Sequence, residues 1–407
     1  MTSETNPAPE SGCASALDPF NTSERSRRLA AELNKSCFCI TLDRAVMAGA
    51  MKTASRDPEF YDAHMVARPH LFSSVPVFLP DSDREAMLAV ARAVEETARI
   101  PAYRDAVLAW APGPIRGDFG PIGAMMGYDF HLTDGPPRLI EINTNAGGAF
   151  LNAFSARAQK ACCAEVEAAK DGALADVFDS AVIAMFESEW RRQRSTGRPQ
   201  HIAIVDDGPR DQYLYPEFVL AQRLFEANGI DALIADPAEL VYADGQLRIG
   251  DKSIDLVYNR LVDFALAEPH HAALQQAWLD GATVVTPNPH THALFADKRN
   301  LTLLSDAALL RMVGASEAAI NALSTLPHAV LVTSAAAEAL WTARKRLFFK
   351  PVSGHGGKAV YRGDKLTRTV WANILASDYI AQDLALPGER QIMLDGVAIP
   401  RKMDVRL

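Results

Sequence analysis

The chain has 407 residues, 48% of them hydrophobic, and a net charge of −9. That length accommodates roughly two or three domains with full cores. The composition excludes a disordered or collagen-like chain, and the acidity argues against general nucleic-acid binding.

Residues 1–24 are polar and rich in Pro, Ser and Glu, and read as a disordered start. They lack the basic segment and apolar core of a signal peptide. Residues 25–200 read as a helical region that contains two strands. Ser82 to Ile100 has helical periodicity, with Ser82 or Asp83 as its cap and Pro101 after it. Met125 to Leu132 and Arg138 to Asn143 read as strands around a Thr133-Asp134-Gly135-Pro136 turn. Ala149 to Trp190 is long enough for two helices, and Arg191 to Pro199 reads as a linker.

A new unit spans residues 201–290. The buried-strand pattern His201–Asp206 precedes a helix from Tyr213 to Asn228, with Gly229 as its C′ residue. Strands follow at Asp231–Ile234 and Asp255–Tyr258, with a hairpin at Asp244-Gly245 between them. A helix from His270 to Asp280 and a strand Thr283–Thr286 complete the unit. Strand–helix–strand order with short connections predicts a small parallel α/β domain.

Residues 291–407 predict an α+β arrangement. Helices are expected at Lys298–Val313, Ser334–Arg346 and Thr367–Leu375. Strands are expected at Leu347–Val352, Lys358–Tyr361, Tyr379–Leu384, Arg390–Leu394 and Ile399–Leu407. From Trp341 onward there are 12 Lys and Arg against 6 Asp and Glu, a local excess that suits a small polyanion. The five cysteines, Cys13, Cys37, Cys39, Cys162 and Cys163, form no disulfide framework and predict reduced thiols in a cytoplasmic protein. Cys37-Phe38-Cys39 lacks the second ligand pair of a metal site. No apolar run reaches membrane-span length.

Two groups of residues carry chemistry. Glu141 and Asn143 are two apart on a strand and share a face, and Asp129 lies in the preceding strand. Two carboxylates and an amide oxygen form a hard-oxygen set suited to Mg²⁺, although an exposed edge strand would look the same. The second group is Lys350 at a strand end, followed by the loop Ser353-Gly354-His355-Gly356-Gly357. Glycines allow backbone to close over phosphate oxygens, and the lysine supplies fixed positive charge. The loop joins two strands and so differs from a P-loop. Lys298 opens the expected helix against its dipole, which often has a ligand reason. Gln382 ends a strand able to present backbone groups to an adenine. Arg401, Lys402, Asp404 and Arg406 read as one strand, with Arg406 a candidate to steady a phosphoryl oxygen in a transition state.

With these residues, the chain resembles the circularly permuted ATP-grasp enzymes related to glutathionylspermidine synthetase and glutathione synthetase. In the ordinary order the lysines and glycine loop precede the metal group. Here Asp129 and Glu141-Ile142-Asn143 come first, and Lys298, Lys350 and the Gly354-Gly356-Gly357 loop come later. The resemblance covers about Gly127 to Leu407. It implies a circularly permuted ATP-grasp fold, with residues 201–290 as a pre-grasp domain and 291–407 as the grasp lobes. It implies Mg²⁺ at Asp129, Glu141 and Asn143, ATP phosphates at Lys298 and Lys350, and adenine at Gln382. The activity it implies joins a small carboxylate to an amine. Two features depart from the family. Gly127 stands where a basic residue is common, and the chain stops inside a core-strand pattern, which predicts a shortened end.

Two other readings compete. One is an ATP-binding protein of the same fold without catalysis. The other is a Rossmann oxidoreductase, which Asp206-Asp207-Gly208-Pro209-Arg210 fits poorly because it lacks G-x-G-x-x-G. Arg210, Asp211, Tyr213, Tyr215, Asn259 and Arg260 are candidates for an acceptor pocket at strand and loop ends. His70, His290 and His292 have no ligand-like spacing.

Overall fold

The computed structural model describes residues 19–68, 70–132, 135–159, 172–352, 354 and 359–407. Helices dominate the first part: α1 (Pro19–Ser36), α2 (Arg44–Ser55), α3 (Phe60–His64), α4 (Asp81–Thr97) and α5 (Pro101–Leu108). Residues 19–24 therefore belong to a helix rather than to a disordered start. Neither Ser82 nor Asp83 caps α4, because both lie inside its first turn and Pro80 holds the cap position. Asp83 instead accepts a hydrogen bond from Arg27 Nε of α1 at 3.0 Å.

Strands β1 (Gly127–His131) and β2 (Arg138–Asn143) form an antiparallel pair. Helices α6 (Ala149–Arg157) and α7 (Gly172–Arg194) follow, and α7 overruns the start of the expected linker. The parallel sheet is as expected. It contains β3 (His201–Val205), β4 (Asp231–Ala235), β8 (Leu256–Asn259) and β9 (Val284–Thr286) in the order β4-β3-β8-β9. A small antiparallel unit of β5 (Leu240–Ala243), β6 (Gln246–Ile249) and β7 (Lys252–Ser253) is inserted before β8. Alternation along β3 explains the layering. Ile202 and Ile204 pack under α8 (Tyr215–Ala227), while Ala203 and Val205 face Leu274 and Trp278 of α9 (Ala272–Leu279).

The expected helix Lys298–Val313 is two helices, α10 (Asn300–Leu304) and α11 (Ala307–Val313). Asp306 splits it, because its carboxylate accepts from the amides of Ala308 and Leu309 and so starts a new helix. Lys298 sits in the turn before α10 rather than within a helix. After α12 (Glu317–Leu323) come β10 (Ala329–Leu331), α13 (Ala337–Ala343), β11 (Leu347–Pro351), β12 (Tyr361–Arg362), α14 (Arg368–Leu375) and β13 (Tyr379–Asp383). Their sheet has the order β10-β13-β11-β12.

The expected last strand is broken at Asp404. β15 (Val397–Met403) forms a hairpin with β14 (Gly388–Leu394), while β16 (Val405–Arg406) leaves it and pairs with β1. Arg401 and Lys402 therefore do not share a strand with Arg406. One apolar core packs α4, α5, β1, β2 and α10–α12 against Ile380 of the other sheet and Val352 just beyond β11. That shared core brings the carboxylate-bearing strands beside β11, which carries Lys350. No described helix is long and apolar enough to cross a membrane.

Candidate functional site

Asp129 and Glu141 are direct cross-strand partners, so their side chains leave the same face, with Asn143 two residues further on. The register between β1 and β2 slips after Asp129: Glu141 pairs with Asp129 and Leu139 with Phe130, leaving Ile140 as the extra residue of a β-bulge. The Ile140 carbonyl accepts a hydrogen bond from Lys350 Nζ at 2.8 Å. Lys298 Nζ lies 3.3 Å from Glu141 Oε1 and donates to the Gly354 carbonyl at 3.0 Å. Gly354 has φ +139°, a conformation that L side chains rarely adopt.

Both lysines are buried, Lys298 at 9% exposure and Lys350 at 8%. Burial pulls the Lys350 pKa down to about 8; Lys298 adds to the shift, and Glu141 and Asp129 oppose it. The group is still mostly charged at pH 7, and a desolvated ammonium is stabilised by an anionic partner.

Arg406 stands opposite Asp129 in register, and its guanidinium donates to both carboxylate oxygens. The second of these bonds is 2.7 Å. Asn143 Nδ2 donates to Asp129 Oδ2 at 2.9 Å. The pairing with Asp129 raises the Arg406 pKa further. Gly127 makes this arrangement possible: a Cβ there would lie 2.9 Å from Arg406 Cδ and 2.7 Å from Ala146 Cβ. The space that a side chain at residue 127 would fill is occupied by Arg406.

A cavity of about 200 Å³ opens on Glu141, Lys298, Lys350, Gly354 and Gln382. Gln382 is 2% exposed, and its Nε2 finds no hydrogen-bond partner among the described residues. An orphaned buried donor on a cavity wall is a reason to expect a ligand acceptor there. Lys298 and Lys350 share the cavity wall with Glu141 and Asp383, while Arg406 pairs with Asp129 outside that lining. Two buried ammonium groups on one wall offer phosphate oxygens paired cationic contacts. Asp129, Glu141 and Asn143 supply hard oxygen donors of the kind Mg²⁺ takes together with phosphate oxygens. Ser353, Gly356 and Gly357 lie outside the described residues.

Sequence reasoning missed His131, two residues beyond Asp129. It lines the same cavity, its Nδ1 lies 2.7 Å from the Ala385 carbonyl, and its Nε2 lies 3.1 Å from Asp404 Oδ1. Period-two spacing from Asp129 was the available signal.

A second cavity of about 280 Å³ shares Lys298 and Gly354 with the first and is also lined by Asp263, Phe264, His292 and Arg299. His292 stacks on Phe264 with centroids 3.9 Å apart, and burial lowers its pKa to about 4. Its Nδ1 lies 3.2 Å from Thr144 Oγ1, in the loop after β2.

That loop explains one of the acceptor-pocket candidates, and the segment after β9 explains another. Arg260 Nη1 donates to the carbonyls of Asn145 and Ala146, both at 2.9 Å, and Asn259 Nδ2 donates to the Pro287 carbonyl. Glu217 accepts from the amides of Gly148 and Phe150 at the start of α6. Arg260 Nη1 and Asn259 Nδ2 thus hold backbone, while Arg260 Nε is left without a partner among the described residues. Arg210, Asp211, Tyr213 and Tyr215 do not line either cavity.

No family model matches the chain, and no curated protein matches it. Solved structures do. One is a protein assigned as a gamma-glutamylcysteine synthetase from Methylobacillus flagellatus KT, at 10% identity and TM-score 0.42, covering 74% of this chain and 76% of that one. Another is the ATP-grasp ligase PsnB with a precursor peptide and AMPPNP, at 18% identity and TM-score 0.29, covering 48% of this chain and 68% of that one. At these scores neither likeness carries a functional argument, which falls to the geometry of the site.

Proposed function

We propose that the chain is an ATP- and Mg²⁺-dependent carboxylate–amine ligase of circularly permuted ATP-grasp type. In this reading residues 201–290 form the pre-grasp domain and 291–407 the grasp lobes. The observation that supports it is the meeting of two distant chain segments at one cavity. Lys298 and Lys350 come from one segment and Glu141 from the other, and the unpaired Gln382 amide stands beside them; Asp129, the cross-strand partner of Glu141, lies outside the lining.

Lys350 and Lys298 would bind phosphate oxygens, and Gln382 Nε2 would donate to the base. Asp129, Glu141 and Asn143 would hold Mg²⁺, which supplies charge neutralisation at the transferring phosphoryl group. The substrate carboxylate attacks the γ-phosphorus, giving an acyl phosphate and ADP. The amine then attacks the acyl carbon, phosphate leaves and takes up the proton lost from the amine nitrogen, and an amide remains. No side chain is needed as a nucleophile. Lys350 and Arg406 act through position and charge, effects worth several kcal/mol each.

A second reading, nucleotide binding without catalysis, draws on one observation: Asp129 is already gripped by Arg406 and Asn143. One experiment separates the two. The protein is incubated with ATP, Mg²⁺ and a panel of amino acids, peptides and polyamines, with Lys350→Ala as control. ADP formed in step with an amide supports the ligase. Tight ATP binding without ADP across the panel supports the second reading. Absence of ATP binding rejects both.

A further inference from the structure

The parallel sheet reverses its direction of winding between β3 and β8, since β4 lies on one side of β3 and β9 on the far side of β8. In open α/β sheets, ligands bind at the carboxyl ends of the strands that flank such a point. Sites of this kind that take phosphate present free backbone amides. Here those amides are already taken. The Asp207 amide donates to Asp206 Oδ1 at 2.9 Å, and the Gly208 amide to Asp236 Oδ2 at 2.8 Å. Asp206, Asp207 and Asp236 stand at these strand ends, with Arg260 offsetting the charge of Asp206, and Asp207 is left to face the histidines.

Two histidines converge on it. The turn Pro269–His271 places His270 Nε2 2.9 Å and His271 Nε2 3.0 Å from the same oxygen, Asp207 Oδ1. The three ligand atoms all lie within 4.8 Å of one another. His271 is fully buried, and its other nitrogen, Nδ1, lies 2.8 Å from Asp263 Oδ2. Metal-binding histidines almost always use their second ring nitrogen in this way: a carboxylate behind the ring fixes the tautomer and turns the remaining lone pair toward the metal. Ligands about 2.0–2.1 Å from a tetrahedral ion stand roughly 3.4 Å apart, so the two Asp207–histidine contacts need to open by about 0.4–0.5 Å. Asp207 and His270 are 41% and 47% exposed, which leaves solvent a route to a fourth position.

We propose that Asp207, His270 and His271 bind a divalent transition-metal ion of the Zn²⁺ type, with Asp263 orienting His271. The site stands independently of the ligase reading. It adjoins the second cavity, because Asp263 also lines that cavity's wall. The competing occupant is a proton shared within an ion-paired Asp–His–Asp network.

The test is a titration of chelator-stripped protein with Co²⁺, followed by visible ligand-field absorption, and with Zn²⁺ by calorimetry. With excess Mg²⁺ present to occupy the separate oxygen-donor site, one equivalent should bind. His270→Ala, a change at an exposed side chain, should weaken binding about tenfold or more, with the thermal transition unchanged. Asp263→Asn should weaken it about 10- to 100-fold. No saturable Co²⁺ signal overturns the proposal, as does binding indifferent to His270→Ala. A thiolate-to-cobalt charge-transfer band that is lost in Cys37→Ser would place the ion elsewhere and also overturn it.

Discussion

Lys350 reaches across to the carbonyl of Ile140, the residue that the bulge in β2 leaves out of register. The contact spans 210 residues of chain and sets a buried ammonium beside Glu141. With its pKa near 8, Lys350 in the free protein loses charge at moderately alkaline pH. Nucleotide affinity should therefore fall as pH rises through about 8, and Lys350→Arg should flatten that fall. Lys350→Ala should lose about 1.5–3 kcal/mol of binding at pH 7, the range of a hydrogen bond to a charged group. Calorimetry with ATP checks both; affinity constant from pH 7 to 9 removes Lys350 from the site.

Glu141 is the carboxylate shared between Lys298 and the candidate metal position. Glu141→Gln keeps the shape and removes the charge. The Mg²⁺ concentration for half-maximal turnover should rise on the order of tenfold, about 1.4 kcal/mol. Turnover insensitive both to this change and to EDTA excludes a metal role.

Gly127→Ala should cost about 1–3 kcal/mol, the usual penalty of overpacking. The added methyl meets Arg406 and Ala146 inside contact distance. Arg406→Ala removes one of the two clashes, so the double variant should be less destabilised than the sum of the singles. Urea midpoints for the four proteins measure this coupling, and strict additivity rules out the contact.

His292 predicts an acid limb. Its folded pKa of about 4 lies below the ordinary 6.5, so the unfolded chain binds more protons between those values. Its contribution is complete above about pH 6.5 and is lost as pH falls toward 4. A shift of that size corresponds to about 3 kcal/mol. His292→Phe should lessen the stability difference between pH 7 and pH 4.5 in urea unfolding; an unchanged difference would assign the acid limb to other groups.

Much of this architecture was legible from local pattern. β2 was expected at Arg138–Asn143 and occurs there, because period-two alternation bounded by a turn and glycines is a short-range signal. The parallel sheet followed from buried apolar runs with helices between them. What failed depends on distant partners. The break at Asp404 exists because β16 finds β1 while β15 finds β14, and no local propensity encodes that choice. At the candidate site, Glu141 and Lys350 carried recognisable chemistry, and the fold brings them together. Arg260 carried chemistry too, yet it holds loop carbonyls; a strand-end arginine reads the same whichever acceptor it meets. His270 and His271 went unremarked because their partners, Asp207 and Asp263, are loop residues that only the sheet's winding brings near.

The strand bearing Arg406 seals one side of β1, 277 residues after Asp129. At translation speeds of about 5–20 residues per second, β1 therefore emerges tens of seconds before that neighbour exists. Until then one flank of it displays unsatisfied amides and carbonyls, a template for pairing with another nascent chain. The same late closure that completes the carboxylate cluster thus leaves that flank open through most of synthesis.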